Sequence, residues 1–287
     1  MRLCLKIGGA QLEDVHARAR LARAIANAVR TGHECLVVHG GGNQIRALSK
    51  RCGIEDRYHD GLRITDAETA DIALAVLAGT VGKALAASLC EAGAPAVSLC
   101  GVDGNSFTAA RHAPLGVDLG YVGKVARVDR TLAEALFARG FVPLFATVAA
   151  LDSGTDGDGD HLYNINADHA AAPLAAAFGC DAVLFLTDVP GVLDAEKRRI
   201  ARLSPAECAA LRDKGVLRGG MIPKVDAALD ALHATPTAMV KIAPADGDDA
   251  VLAALSKDIG TRFHVDCADE DTDAGTDECA NEETSHG

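Results

Sequence analysis

The sequence predicts an α/β fold: an open three-layer α/β/α sandwich with a mainly parallel central sheet. Short runs rich in Leu or β-branched residues alternate with Ala-rich stretches of helical length along nearly the whole chain. Such alternation needs crossover connections, and crossovers give parallel strands covered by helices on both faces. The hydrophobic share is 49% with no Trp and only 3% aromatic residues, so a chain of 287 residues must build its core from aliphatic side chains.

The elements follow in order. "RLCLKI" gives a strand over 2–7, and the Ala- and Arg-rich run after it a helix over 12–31. "ECLVVH" is a strand over 34–39, followed by a helix over 43–52. Thr65-Asp66-Ala67-Glu68 has the spacing of a capping box, which starts helical structure over 66–92, with a break expected at Gly79. A strand at 95–100, a β-ribbon around 119–128, a helix over 130–139 and strands over 141–148 and 161–165 come next. The theme then repeats as a helix over 167–178, a strand over 182–187, helices over 204–214 and 222–234, a strand over 237–242 and a helix over 247–256.

Several function classes are disfavoured. The net charge of −12 argues against a nucleic-acid partner. Its distribution is uneven: residues 266–287 hold nine of the 40 acidic residues and none of the 28 basic ones, which leaves 31 acids against 28 bases, a net of −3. That segment reads as an acidic disordered tail, and residues 1–265 as the folded domain. Read from the sequence, no apolar run approaches the ~20 residues of a membrane span, and the first residues lack the apolar core of a signal peptide. The nine cysteines are scattered without a C-x-x-C pair, which fits reduced thiols in a cytoplasmic protein. The ten histidines show no H-E-x-x-H spacing, and no protein-bound metal is expected.

Ligands of open parallel sheets bind beyond the carboxyl ends of the strands, so the segments after each strand carry the chemistry. The first strand ends in "KIGG", with Lys6 a lone cation before Gly8 and Gly9; the second ends in Gly40, Gly41 and Gly42 before a helix. Glycines at a strand-to-helix turn let backbone N–H groups reach an anion, and the helix N-terminus favours it electrostatically. Neither stretch is G-x-G-x-x-G or G-x-x-x-x-G-K-[ST], so the dinucleotide and P-loop readings fail on spacing. Arg63 precedes a helix start, where a cation is unfavourable unless an anion lies between, and its fork suits a carboxylate. "NINAD" places Asn164, Asn166 and Asp168 at a strand-to-helix junction, where Asp168 taken alone reads more readily as a helix cap. "TDGDGDH" lacks the Gly and Glu of a calcium loop, so Asp156, Asp158 and Asp160 read as a solvated hairpin loop. "LTDVPGVL" is a strand followed by a turn at the same sheet end, and "GGMIPK" puts Lys224 on a helix after two glycines.

With "KIGG", "HGGG", "GLRITD", "NINAD", "LTDVPGV" and "GGMIPK" in this order, the chain resembles the amino acid kinase superfamily, and within it the acetylglutamate kinase family. The match runs from about residue 2 to 264. The resemblance implies an N-terminal half that binds an acylamino acid and a C-terminal half that binds ATP. It implies phosphorylation of the side-chain carboxylate of N-acetyl-L-glutamate to N-acetylglutamyl 5-phosphate, in arginine biosynthesis, with Mg²⁺ held mainly by the nucleotide phosphates. Residue by residue, Lys6 and Lys224 would contact the transferring phosphoryl group, with Asp168 holding both lysines. Arg63 and Asn164 would bind N-acetylglutamate, with Gly41 and Gly42 at the junction of substrate and phosphoryl group. Gly8 and Gly9, the segment Asp188, Val189, Pro190, Gly191, Val192 and Leu193, and Val216, Leu217 and Arg218 would line the nucleotide.

The chemistry agrees, because a carboxylate nucleophile with a pKa of about 4 is already ionised and needs no general base. Gly82, where the family pattern has Asn, and the long acidic loop at 152–160 depart from the resemblance near the substrate half. An acetylaminoadipate kinase or other carboxylate kinase would share the phosphate-handling residues, and a non-catalytic binder of nucleotide or amino acid would usually lack one of Lys6, Asp168 and Lys224. Both lysines are expected at solvent-accessible element ends. In the resembled family, arginine-inhibited members carry an extra N-terminal helix that builds a hexamer. Here Met1 is followed almost at once by the first strand, so the expectation is a homodimer, joined by the helices between 66 and 92 and poorly inhibited by arginine.

Overall fold

The computed structural model describes residues 1–265 apart from Asp60, Asp158 and Lys257; the acidic tail lies outside the described residues. In chain order the elements are β1 (Arg2–Ile7), α1 (Ala10–Glu13), α2 (Val15–Arg30), β2 (Glu34–His39), α3 (Gly42–Arg51), the hairpin strands β3 (Tyr58–His59) and β4 (Leu62–Arg63), α4 (Ala67–Leu74) and α5 (Gly82–Glu91). Next come β5 (Ala96–Leu99), β6 (Phe107–Arg111), β7 (Val122–Val128), α6 (Thr131–Phe137), β8 (Val142–Ala146), β9 (Val148–Ala149) and β10 (Tyr163–Ile165). The C-terminal half holds α7 (Ala167–Ala177), β11 (Ala182–Thr187), β12 (Arg202–Leu203), α8 (Pro205–Asp213), α9 (Met221–Ala234), β13 (Met239–Pro244), α10 (Ala250–Ser256) and β14 (Thr261–Phe263).

Eight strands form the central sheet in the order β12-β14-β13-β11-β1-β2-β8-β5, parallel at every pairing except β13 with β14. The side-chain period of two divides the strands between two cores. Leu3, Leu5 and Ile7 of β1 face the layer holding α2, α5 and α10, whereas Cys4 faces the layer of α6, α7, α8 and α9. By the same alternation Lys6 points to the α7–α9 side. The expected three-layer sandwich is therefore present, with Lys6 near the carboxyl end of an inner strand.

A second sheet, in the order β6-β7-β10-β9, sits over the carboxyl ends of the N-terminal half. The sequence shows only part of it. The strand expected over 141–148 breaks at Thr147, which separates β8 in the main sheet from β9 in the second, and the expected ribbon at 119–128 is β7 paired antiparallel with β6. Gly120 is required where this sheet meets β4's exit: at φ 68° a Cβ there would lie 2.2 Å from the Thr65 carbonyl oxygen.

Residues 67–91 form one helix with wide π-type turns over Ala75–Val81, so the expected break at Gly79 does not occur. Its N-cap is Asp66, whose carboxylate accepts from Thr69 N at 3.0 Å; Thr65 is not the cap because its backbone is tied to Leu119 and Tyr121 and its hydroxyl to Arg63 O. An 18-residue window of this 25-residue helix has a mean hydropathy of 1.8, which by length and composition alone is enough to cross a membrane. Val76, Leu77, Val81, Leu85 and Leu89 are nevertheless buried in the protein core.

Candidate active site

A cleft of ≈ 390 Å³ opens beyond the carboxyl ends of β1, β2 and β11, roofed by the β3–β4 hairpin and by β7 and β10. Lys6, Gly8, Gly9, Gly41, Gly42, Arg63, Asn164, Asp168, Asp188 and Lys224, ten of the residues expected from the sequence, line it together.

At its floor Lys6 Nζ lies 2.5 Å from Asp168 Oδ1, and Lys224 Nζ approaches Asp168 Oδ2 at 4.0 Å. Lys6 is 4% exposed, so the expectation of a solvent-accessible lysine holds for the half-buried Lys224 and is corrected for Lys6. Burial lowers the Lys6 pKa; Asp168 works against that shift and Lys224 adds to it. Asp168 occupies the first turn of α7, where the helix dipole favours its negative charge, while the capping is done by Asn166, whose Oδ1 accepts from Asp168 N at 2.8 Å. One carboxylate thus fixes two ammonium groups whose charges the cleft must otherwise keep apart.

The two glycine turns meet above this group. A Cβ on Gly9 would lie 3.0 Å from Gly41 Cα, so the turns could not approach with side chains present, whereas a Cβ on Gly42 would enter open space, the cleft itself. Gln44 locks the arrangement by donating from Nε2 to Gly9 O at 2.9 Å. Beneath the second turn lies His39, fully buried, its pKa pushed down to about 4 by desolvation.

Toward the mouth, Arg63 donates through one guanidinium nitrogen to Asp56 and through another to Gly42 O at 3.0 Å. It is only 8% exposed. Asn164 stands on β10 beside Val122 of β7. The sequence missed Arg46 and Tyr58, which also line the cleft, and Gln44, which ties the two turns together. Gly42 and Arg46 are one turn apart at the start of α3, so helical spacing from the glycine turn was a usable signal for Arg46.

The other nucleotide-side residues lie apart from the cleft lining. Val189 is half-buried and Pro190 exposed, beside Asp188. Val192 is fully buried and donates its N–H to Thr261 Oγ1, Gly191 packs against the same threonine, and Leu193 bridges to Arg199. In the loop before α9, Leu217 is in the core, Val216 half-buried and Arg218 exposed. The side chains of Val192 and Leu217 are therefore closed to a ligand in this conformation.

Paired lysines on a shared carboxylate, facing glycine-turn amides across an open cleft in an α/β/α sandwich, have the charge and the donors that phosphoryl transfer requires. The chain belongs to the amino acid kinase family, whose model matches residues 1–241. Its relatives narrow the class to acetylglutamate kinases. The protein of that name from Koribacter versatilis is 43% identical over 88% of this chain and 93% of its own length, and that from Allorhizobium ampelinum 41% identical over 81% and 80%. Among solved structures, a protein of Streptococcus mutans UA159 superposes with a TM-score of 0.74 at 25% identity, covering 92% of this chain and 99% of that one. An N-acetylglutamate synthase from Neisseria gonorrhoeae shares the fold with a TM-score of 0.77 at 23% identity, covering 92% of this chain and 59% of the synthase.

Proposed function

We propose that the chain transfers the γ-phosphoryl group of ATP to the side-chain carboxylate of N-acetyl-L-glutamate, giving N-acetylglutamyl 5-phosphate and ADP in arginine biosynthesis. The observation that carries this reading is the Lys6–Asp168–Lys224 group facing Gly42 and Arg63 in one cleft. A carboxylate oxygen attacks the γ-phosphorus in line, and the bond to the β–γ bridging oxygen breaks with its electron pair leaving on ADP. Lys6 and Lys224 bind the equatorial and leaving oxygens as negative charge spreads over them, and Asp168 keeps both ammonium groups aimed at one point. The amides of Gly8, Gly9, Gly41 and Gly42 supply further donors. No residue needs to take a proton, since the acceptor is ionised.

Arg63 and Asn164 hold the acylamino acid. The nucleotide lies against Asp188 to Leu193 and Val216 to Arg218, meeting backbone and exposed side chains of these segments. ATP enters with Mg²⁺, which would be carried chiefly by the phosphates and would neutralise them; among the described residues no group of three or more His, Cys, Asp or Glu side chains converges to hold a metal.

The working unit is a homodimer in the cytoplasm. Asp71, Ala75, Thr80, Lys83, Ala87 and Cys90 make an exposed stripe along the 67–91 helix, where the small Ala75, Thr80 and Ala87 leave room for a second helix to pack. The seven described cysteines are all free, as in a reducing compartment.

An ADP-release assay with ATP and Mg²⁺ against N-acetylglutamate, N-acetylaminoadipate, glutamate and aspartate tests the reaction. N-Acetylglutamate is expected to give the highest kcat/KM. Preference for N-acetylaminoadipate would reassign the acceptor, and silence across the panel would point to a binding protein. Sedimentation as a monomer would sink the dimer.

A further inference from the structure

Two guanidinium groups, not one, stand at the acceptor end of the cleft. Arg46 Nε donates to Asp56 Oδ2 at 3.1 Å, and Arg63 donates to the other oxygen of the same carboxylate. Tyr58 fixes the pair from the side: its hydroxyl accepts from Arg46 NH2 at 3.2 Å, and its ring centroid lies 5.8 Å from the Arg46 guanidinium carbon and 4.9 Å from that of Arg63. Arg46, Tyr58 and Arg63 all line the cleft. Two positive charges share one negative charge, so the cluster keeps one net positive charge facing the cavity. Arg46 NH1 and Arg63 Nε have no protein partner among the described residues.

The geometry points to Arg46 as a second carboxylate-binding residue, a specificity determinant that sits beside Arg63 and reads the main-chain carboxylate of the acylamino acid; this rests on the acceptor assignment above. Asp56 already bridges the two guanidiniums with its two oxygens, so their spacing is that of a carboxylate. A second carboxylate meets their remaining donors and neutralises the residual charge. The division of labour follows from position. Arg63 is tied to Gly42 O and so to the phosphoryl end, and its side chain is 6% exposed; that of Arg46 is 57% exposed and meets the incoming anion first.

The test compares N-acetyl-L-glutamate with the same molecule carrying a main-chain carboxamide. In Arg46→Gln, KM for the carboxylate substrate should rise about tenfold, the scale of one charge-assisted hydrogen bond, with kcat and the KM for ATP within about twofold, as expected for a contact made already in the ground state. KM for the carboxamide should stay where wild type has it. Arg46→Lys should recover part of the loss, because it keeps the charge without the fork. A merely structural Arg46, acting by holding Asp56 and Tyr58, would raise KM for both molecules alike and would not be rescued by Lys. That outcome, or an unchanged KM for the carboxylate, overturns the inference. Wild-type turnover of N-acetyl-L-glutamate is the separate control: its absence would refute the acceptor assignment, whereas its presence with an indifferent Arg46 would refute only the inference.

Discussion

The two ends of the cleft are built differently. At the proposed phosphoryl end, Lys6, Asp168 and Lys224 come from β1, α7 and α9, all regular elements, and the Lys6 side chain is 5% exposed. At the proposed acceptor end, Tyr58 and Arg63 come from a hairpin of two-residue strands, Tyr58 is 44% exposed and Asp56 lies in the loop before it. The difference follows from what each end must do. Charge that stabilises a transition state has to be in place before reaction, because reorganising it costs barrier height. An acceptor must enter and leave, and surface loops on a rigid scaffold permit that.

Substitutions at the phosphoryl end should therefore hit the chemical step hardest. Lys6→Ala is expected to lower kcat by on the order of 10² or more and to destabilise the fold by on the order of 2 kcal/mol, because Asp168 is left in a largely buried site with Lys224 at 4.0 Å as its remaining partner. Kinetics with denaturant unfolding reads both effects; half of wild-type kcat would remove Lys6 from the mechanism. Lys224→Ala should cost a similar ~10² in kcat but less than about 1 kcal/mol in stability, its side chain being 26% exposed. Equal destabilisation by the two variants would break the comparison between a buried and an accessible lysine. His39 marks the same end in another way. Its pKa falls from 6.5 to about 4 on folding, so between those values the unfolded chain binds the extra proton. The stability it contributes is full above pH 6.5 and is lost as the pH falls, by about 2 kcal/mol at pH 5. Unfolding curves of wild type and His39→Gln should converge by that amount between pH 7 and pH 5, and parallel curves would show that His39 does not titrate.

The same contrast decides what the sequence reveals. Lys6, Gly41, Asp168 and Lys224 sit at junctions of regular elements, where strand alternation, glycine turns and helix starts leave a pattern, and the cleft brings them together. The three-layer fold was legible for the same reason. The β3–β4 hairpin, the break at Thr147 and the two-residue β9 were not, because strands of two residues are too short to show a period and are held by long-range pairing, and the five-residue β6 was missed as well. Burial of Lys6 was also hidden: the lone cation in an apolar strand reads as an exposed edge until the sheet order puts β1 between β2 and β11. Asp56 gave no local signal at all, since its partners Arg46 and Arg63 are ten positions before it and seven after.

The smallest kinetic effect should come from the acceptor end, at Arg63. The contact proposed for it with the acylamino acid is made in the ground state, so Arg63→Ala should raise KM for N-acetylglutamate about tenfold and leave kcat much less changed. Part of the loss is indirect. Without Arg63, Asp56 keeps only Arg46 as its cationic partner, and Gly42 O loses the donor that ties the hairpin to the glycine turn. If that tie also sets the acceptor carboxylate's approach to phosphorus, kcat will fall with KM. Arg63→Lys separates the two effects, since it keeps a charge for the substrate but cannot serve Asp56 and Gly42 O together as the guanidinium fork does. KM restored with kcat still low would show that the hairpin belongs mechanically to the phosphoryl end. An unchanged KM in Arg63→Ala would remove Arg63 from substrate binding altogether.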